Sequence, residues 1–202
     1  MVISGPSGAG KSTIVSKLLE RRPDLVLSLS ATTRAPRSGE SDGVNYRFVS
    51  EDDFARLERA GEFLETAQVH GARYGTPRAP VVAALAAGRS VVLEIDVQGA
   101  RSVRAAMPEA LLIFVEPPSG EVLRARLEGR RTETPEALEL RLRNAEGELA
   151  EAAGFDYRIV NDDLEVAVDE VLRILEATES GPAADPHHQS EESHEPDRTQ
   201  DR

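Results

Sequence analysis

Gly5-Pro6-Ser7-Gly8-Ala9-Gly10-Lys11-Ser12 is a complete G-x-x-x-x-G-K-S/T phosphate loop. It follows a short apolar run, Val2-Ile3, and opens into Thr13-Ile14-Val15-Ser16-Lys17-Leu18-Leu19, where Ile14, Val15, Leu18 and Leu19 recur at helical spacing. Strand, loop and helix in that order are the context such a motif requires. Glycines let successive backbone N–H groups turn inward, and the following helix contributes its positive N-terminal end. Lys11 then sets a point charge on the outer phosphates, and the Ser12 hydroxyl is placed to ligate Mg²⁺. The loop by itself implies a bound nucleoside triphosphate.

Downstream, apolar runs alternate with helical periods. Strands are expected at Leu25–Ser30, Glu62–Val69, Val91–Asp96, Leu111–Val115 and Tyr157–Val160. Helices are expected from Ser50, from Thr76-Pro77, over Ser102–Met107, after Ser119, from Pro135 to about Ala152, and over Leu164–Ala177. Buried strands alternating with helices predict an α/β fold of three layers, a parallel-sheet core carrying the phosphate loop. Residues 33–76 break the alternation and read as an inserted, mixed α+β subdomain. Residues 119–145 read as a helical lid. The core is expected at 1–32, 77–118 and 146–177.

The whole chain carries a net charge of −12, which argues against non-specific nucleic-acid binding. Residues 178–202 hold −5 of it, with Pro182, Pro186 and Pro196 and almost no apolar side chains, so a disordered acidic tail is expected. His187, His188 and His194 fall in that tail and read as solvated rather than metal-binding. The absence of cysteine excludes disulfides and thiolate metal sites and fits a reducing cytoplasm. Neither a membrane-length apolar run nor a secretory leader pattern is present, so no membrane partner is expected. Oligomeric state cannot be read from the sequence.

Three features narrow the chemistry. Asp96 closes a buried strand, at the sheet edge where open α/β folds bind ligands, and a carboxylate there can hold Mg²⁺ directly or through water. Arg34 and Arg37, with Tyr46 and Tyr74, supply two guanidinium forks and two phenols, enough to hold a second phosphate. The alternative for the arginines is pairing with Glu40 or Asp42. Arg130 and Arg131, after Gly129, stand with Arg141 either as groups that close over transferring phosphates or as a solvated helix face.

Taken together these segments resemble the guanylate kinase family, over Val2 to about Leu175. The resemblance rests on Ile3 to Thr13, on Ser30-Ala31-Thr32-Thr33-Arg34-Ala35-Pro36-Arg37, and on Gly39-Glu40 with Gly43-Val44-Asn45-Tyr46. Glu62-Phe63-Leu64-Glu65, Tyr74-Gly75-Thr76, Ile95-Asp96-Val97-Gln98-Gly99, Arg126-Leu127-Glu128-Gly129-Arg130 and Val160-Asn161-Asp162-Asp163 complete it. It implies Mg²⁺-dependent transfer of the ATP γ-phosphoryl group to GMP, giving ADP and GDP. Gly5 to Thr13 and Asn161 would bind ATP. Ser30, Arg34, Arg37, Tyr46 and Tyr74 would hold the GMP phosphate, with Glu65 and Thr76 reading guanine and Asp96 beside them. Lys11, Arg34, Arg130 and Arg141 would act on the transferring group, and Ser12 and Asp96 on the metal. One carboxylate can accept both the N1–H and the N2–H₂ of guanine, whereas adenine would leave it unpaired.

The chain departs from the family's usual pattern in places. Thr76 stands for a common serine, Glu94 for a common aspartate, and Arg131 for a frequent glycine. Only three residues separate Met1 from the loop, so a short first strand or a late start is expected. Two other functions share these motifs: a catalytically inactive peptide-binding module of the same fold, and a kinase of another phosphorylated small molecule.

Overall fold

The computed structural model describes residues 1–37, 39–69, 71–129 and 135–180. Its elements begin with β1 (Val2–Ser4), α1 (Lys11–Arg21), β2 (Val26–Leu27), β3 (Ala31–Thr32), β4 (Arg47–Phe48) and α2 (Glu51–Arg59). Then come β5 (Phe63–Val69), β6 (Ala72–Pro77), α3 (Arg78–Ala86), β7 (Val91–Glu94) and α4 (Val97–Ala106). The last are β8 (Leu112–Glu116), α5 (Gly120–Glu128), α6 (Pro135–Ala150), a 3₁₀ turn (Glu151–Gly154), β9 (Tyr157–Val160) and α7 (Leu164–Glu179).

Alternation along β1 sets the layers. Val2 and Ile3 face opposite ways, and both are buried, so the sheet must be covered twice. β1 is the middle strand of a five-stranded parallel sheet ordered β2-β7-β1-β8-β9. On one face Ile3, Val92, Ile113 and Val115 pack against Ile14 and Leu18 of α1 and Val168 and Val171 of α7. On the other, Val2, Leu93 and Leu112 pack against Val81 of α3 and Ala100 and Val103 of α4. The result is the expected three-layer α/β core, with the phosphate loop leaving the carboxyl end of its central strand.

A second, mixed sheet ordered β4-β3-β6-β5 carries the inserted region. Its small core stacks Phe54 of α2 on Phe63 of β5, ring centroids 4.6 Å apart. The start of α2 follows the sequence pattern: the Ser50 hydroxyl accepts from the Asp53 N–H at 3.1 Å and donates to the Asp53 carboxylate at 2.8 Å. Helices α5 and α6 pair through Leu123, Leu127 and Ala145. Among the described residues no helix is long and apolar enough to cross a membrane.

Several boundaries differ from expectation. The strand expected over Leu25–Ser30 is only β2, because the chain changes sheets after Ser28, whose N–H still donates to Val92 at 2.9 Å, and Ala31 and Thr32 pair with β6 instead. Thr76 and Pro77 belong to β6 rather than to a helix start. The Thr76 N–H and hydroxyl both donate to Glu65, so the hydroxyl caps nothing, and α3 begins at Arg78 without a side-chain cap. Asp96 lies beyond β7 as the N-cap of α4, accepting from Gly99 N–H at 2.8 Å, and that helix starts five residues earlier than Ser102. Helix α7 continues to Glu179, so residues 178–180 do not belong to a tail; Glu179 is held there by Arg22 and Ser90. The tail itself beyond 180, with its three histidines, lies outside the described residues, as do Arg130 and Arg131.

Candidate active site

The phosphate loop is shaped by contacts behind it. Gly5 has φ +137°, and a Cβ there would lie 2.0 Å from the Val115 carbonyl oxygen. A Cβ on Gly10, at φ +98°, would lie 2.2 Å from Asn161 Nδ2. No side chain fits either position. The Ala9 carbonyl accepts from Asn161 Nδ2 at 2.7 Å and from Arg126 Nη1 at 3.3 Å, and Arg126 Nη2 donates to the Asn161 carbonyl at 2.8 Å. Asn161 is therefore buried at the back of the loop and is not among the residues lining the cleft. Lys11 reaches back over the loop, its ammonium donating to the Gly5 and Pro6 carbonyls at 2.6 and 3.1 Å.

Ser7, Gly8, Gly10, Lys11, Ser12 and Thr13 form one wall of a single cleft. Carboxylates converge on that wall. The Ser12 hydroxyl donates to Glu94 Oε1 at 2.5 Å, and Asp96 and Glu148 line the same space. Burial raises the Asp96 carboxyl above its ordinary value, opposed by the Gly99 N–H and the Lys11 charge. Burial also raises Glu148, again opposed by Lys11. Oxygen donors of this kind suit a hard divalent cation, and Mg²⁺ in particular is held by one or two carboxylates together with phosphates. Among the described residues no set of three or more acidic or histidine side chains forms a cage for a metal.

The opposite wall comes from the second sheet and the loops around it. Ser30, Arg37, Tyr46 and Tyr74 all line the cleft, the two phenol rings edge to face with centroids 5.9 Å apart. Arg34 is placed differently. Its guanidinium makes a bidentate pair with Glu40 at 2.6 and 2.8 Å, donates to the Tyr74 hydroxyl at 3.1 Å, and lies over the Tyr46 ring. Arg34 therefore takes up the pairing with Glu40 that the sequence left open, and it holds the loop that carries Arg37, whose own N–H donates to Glu40 at 2.8 Å. The Arg34 hydrogen bonds pull the Glu40 carboxyl down to about 2.

At the floor between the walls sits Glu65, 5% exposed, on β5. Its Oε1 accepts from the Thr76 N–H at 3.1 Å and the Thr76 hydroxyl at 2.6 Å. Burial pushes the Glu65 carboxyl up to about 7, with the Asp96 charge adding to the rise and Thr76 opposing it. Glu65 lines the cleft, while Thr76 stands behind it and acts through it.

Of the residues singled out from sequence, Lys11, Ser12, Thr13, Ser30, Arg37, Tyr46, Glu65, Tyr74, Asp96 and Arg141 share the cleft. Arg34, Thr76 and Asn161 brace it, and Arg130 lies outside the described residues. Sequence reasoning passed over Glu148 and gave Glu94 only a secondary place. A signal for Glu148 existed: it lies seven residues, two helical turns, after Arg141 and so on the same face of α6. For Glu94 the signal was its place at the end of β7, two residues before Asp96.

A parallel sheet with a phosphate loop on its central strand, facing a second wall of serine, arginine and tyrosine side chains, defines the class of phosphate-loop nucleotide-binding proteins. The chain belongs to the guanylate kinase family, whose profile ("Guanylate kinase") matches residues 1–178. It is 53% identical over 176 residues to the guanylate kinase of Thermobifida fusca (strain YX), covering 87% of this chain and 90% of that one. It is likewise 53% identical over 182 residues to the guanylate kinase of Nocardia farcinica (strain IFM 10152), covering 89% and 94%. The crystal structure of guanylate kinase from Anaplasma phagocytophilum superposes with a TM-score of 0.73 at 39% identity, over 87% of this chain and 82% of that one.

Proposed function

We propose that this protein transfers the γ-phosphoryl group of ATP to GMP. The observation that carries the reading is Glu65: a buried carboxylate, fixed on one oxygen by Thr76, in a cleft whose walls are a phosphate loop and an Arg37–Tyr46–Tyr74 cluster. The guanine N1–H and N2–H₂ are a matched pair of donors for such a group. Adenine offers an acceptor at N1 and would leave a buried carboxylate unpaired, a mismatch worth ~10⁴-fold in selectivity.

The roles follow from position. Loop N–H groups from Gly5 to Thr13 cradle the ATP phosphates, and Lys11 turns from its own loop carbonyls toward the β- and γ-phosphates. Ser30, Arg37, Tyr46 and Tyr74 hold the GMP phosphate, with Arg34 keeping that wall in shape. A GMP phosphate oxygen attacks the γ-phosphorus, a new P–O bond forms, and the bond to the β-phosphate oxygen breaks, so that ADP and GDP leave. Arg141, and Arg130 with it, offset charge on the transferring group. Ser12 and Glu94, with Asp96 directly or through water, would hold Mg²⁺, which would draw negative charge from the phosphates. Asn161 keeps the loop's shape from behind. The inserted region, residues 33–76, and the lid, residues 119–145, close over the two nucleotides and screen water from the transfer. A cytoplasmic setting, where both nucleotides are made and used, fits the cysteine-free chain.

Coupled ADP release measured with GMP, AMP, UMP and CMP is the direct test, and only GMP is expected to support turnover. Folded protein with no GMP-dependent turnover would overturn the proposal. Calorimetric binding of ATP excludes the peptide-binding alternative, in which an intact Gly10-Lys11-Ser12 would have no use.

A further inference from the structure

Gly99 is the third residue of α4, and its φ is not in the left-handed range, so the backbone there would accept any residue. Inside a helix alanine is favoured over glycine by about 1 kcal/mol. The conformation therefore gives no reason for a glycine. The surroundings do. A Cβ on Gly99 would lie 2.6 Å from Glu65 Oε2, 3.1 Å from Glu65 Cδ and 3.3 Å from Asp96 Oδ1. Gly120, the first residue of α5, has nothing within 4 Å of the same position and shows no such constraint.

Glu65 is thus clamped from two sides. Thr76 of β6 holds Oε1 with two hydrogen bonds, and the bare backbone of the first turn of α4 stands against Oε2. The same turn holds Asp96, which accepts from Gly99 N–H at 2.8 Å. Among the described residues no donor reaches Oε2, so it is the oxygen left to meet a ligand.

We propose that Gly99 is a positioning residue for purine selection: its missing side chain lets α4 close on Glu65 and fixes where Oε2 meets the base. This rests on the reading of Glu65 as the guanine-recognising carboxylate. Glu65 Oε2 is the free end of a flexible side chain, so an added methyl group displaces it rather than unfolding the core.

The test uses the full chain and four variants: Gly99→Ala, Gly154→Ala (where a Cβ also meets nothing within 4 Å), Glu65→Ala and Glu65→Ala/Gly99→Ala. For Gly99→Ala the KM for GMP is expected to rise about 10- to 100-fold, the effect of a lost hydrogen bond to a charged group. The KM for ATP should stay within about twofold, selectivity for GMP over AMP should fall by the same factor as the GMP term, and Gly154→Ala should match the parent. In the Glu65→Ala background, Gly99→Ala should add nothing, because the group it displaces is gone. If Gly99→Ala fails to fold while the double variant folds, the clash with Glu65 is demonstrated directly. A folded Gly99→Ala with unchanged KM for GMP overturns the proposal, as do equal losses for GMP and ATP or a double variant that also fails to fold. Unchanged selectivity in Glu65→Ala would instead refute the role of Glu65, a separate outcome from the failure of Gly99.

Discussion

At one end of the cleft the loop between β1 and α1 presents backbone N–H groups, while at the other Ser30, Arg37, Tyr46 and Tyr74 present side chains from a separate mixed sheet. The first surface is contiguous in sequence, and its shape is set by glycine conformations and by carbonyls such as those of Val115 and Ala9. The second is assembled from residues 30 to 74, each held by a neighbour: Arg34 by Glu40, Tyr74 by Arg34, Glu65 by Thr76. A site made of main chain tolerates few substitutions in its own loop and is indifferent to most others. A site made of propped side chains spreads its vulnerability over residues that never touch the ligand.

The sharpest contrast should come from Lys11→Ala, which removes the charged side chain that the main-chain end carries. Its kcat is expected to fall ~10³-fold, the scale for removing a preorganised donor to developing charge, with stability little changed. Steady-state turnover and a thermal melt would check both halves. Glu65→Gln should act at the other end alone. It presents a donor where guanine also donates, so kcat/KM for GMP should drop roughly 10²-fold while ATP binding is unaffected. Equal losses for both nucleotides would break the distinction between the two ends.

Glu40→Gln tests the propping itself. It leaves the Arg34 guanidinium, a largely buried group, without its carboxylate, a loss of about 1–3 kcal/mol. The expected result is a KM for GMP about 10- to 30-fold higher and a lower melting temperature, although Glu40 is not among the cleft-lining residues. The smallest effect is in pH. Because the folded carboxyl of Glu65 is raised to about 7 from an ordinary 4.5, the folded protein binds more protons in that interval. Its contribution to stability is present below about 4.5 and is lost as pH rises through about 7. Guanine favours the ionised form, so GMP should bind up to about tenfold more tightly at pH 8 than at pH 6, with a proton released. Glu65→Gln removes that part of the profile.

The same contrast explains what could be read without coordinates. The loop was legible because eight adjacent residues carry it, and the three-layer core because residues 91–93 and 112–115 are continuous apolar runs. Thr76-Pro77 was misread as a helix start because local chemistry allowed it; the competing partner, Glu65, lies eleven residues away and becomes a neighbour only when β5 pairs with β6. The same holds for Ser12 and Glu94, which are 82 residues apart in the chain. Arg34 had a ligand phosphate, Glu40 and Asp42 available in the sequence, and only the fold of its loop decides that Glu40 is within reach. Asp96 was recognised as a carboxylate at the sheet edge, but its exact station as a helix cap depended on the first turn of α4.

The ties behind Ala9 bear on how the protein comes into being. A chain leaving the ribosome exposes the phosphate loop long before the partners that shape it, Val115, Arg126 and Asn161, the last 152 residues downstream of Ala9. Until those residues have emerged and β9 has joined the sheet, the motif is a flexible, glycine-rich strip with no fixed cradle. The loop is thus made before the opposite wall of the cleft and takes its shape after it.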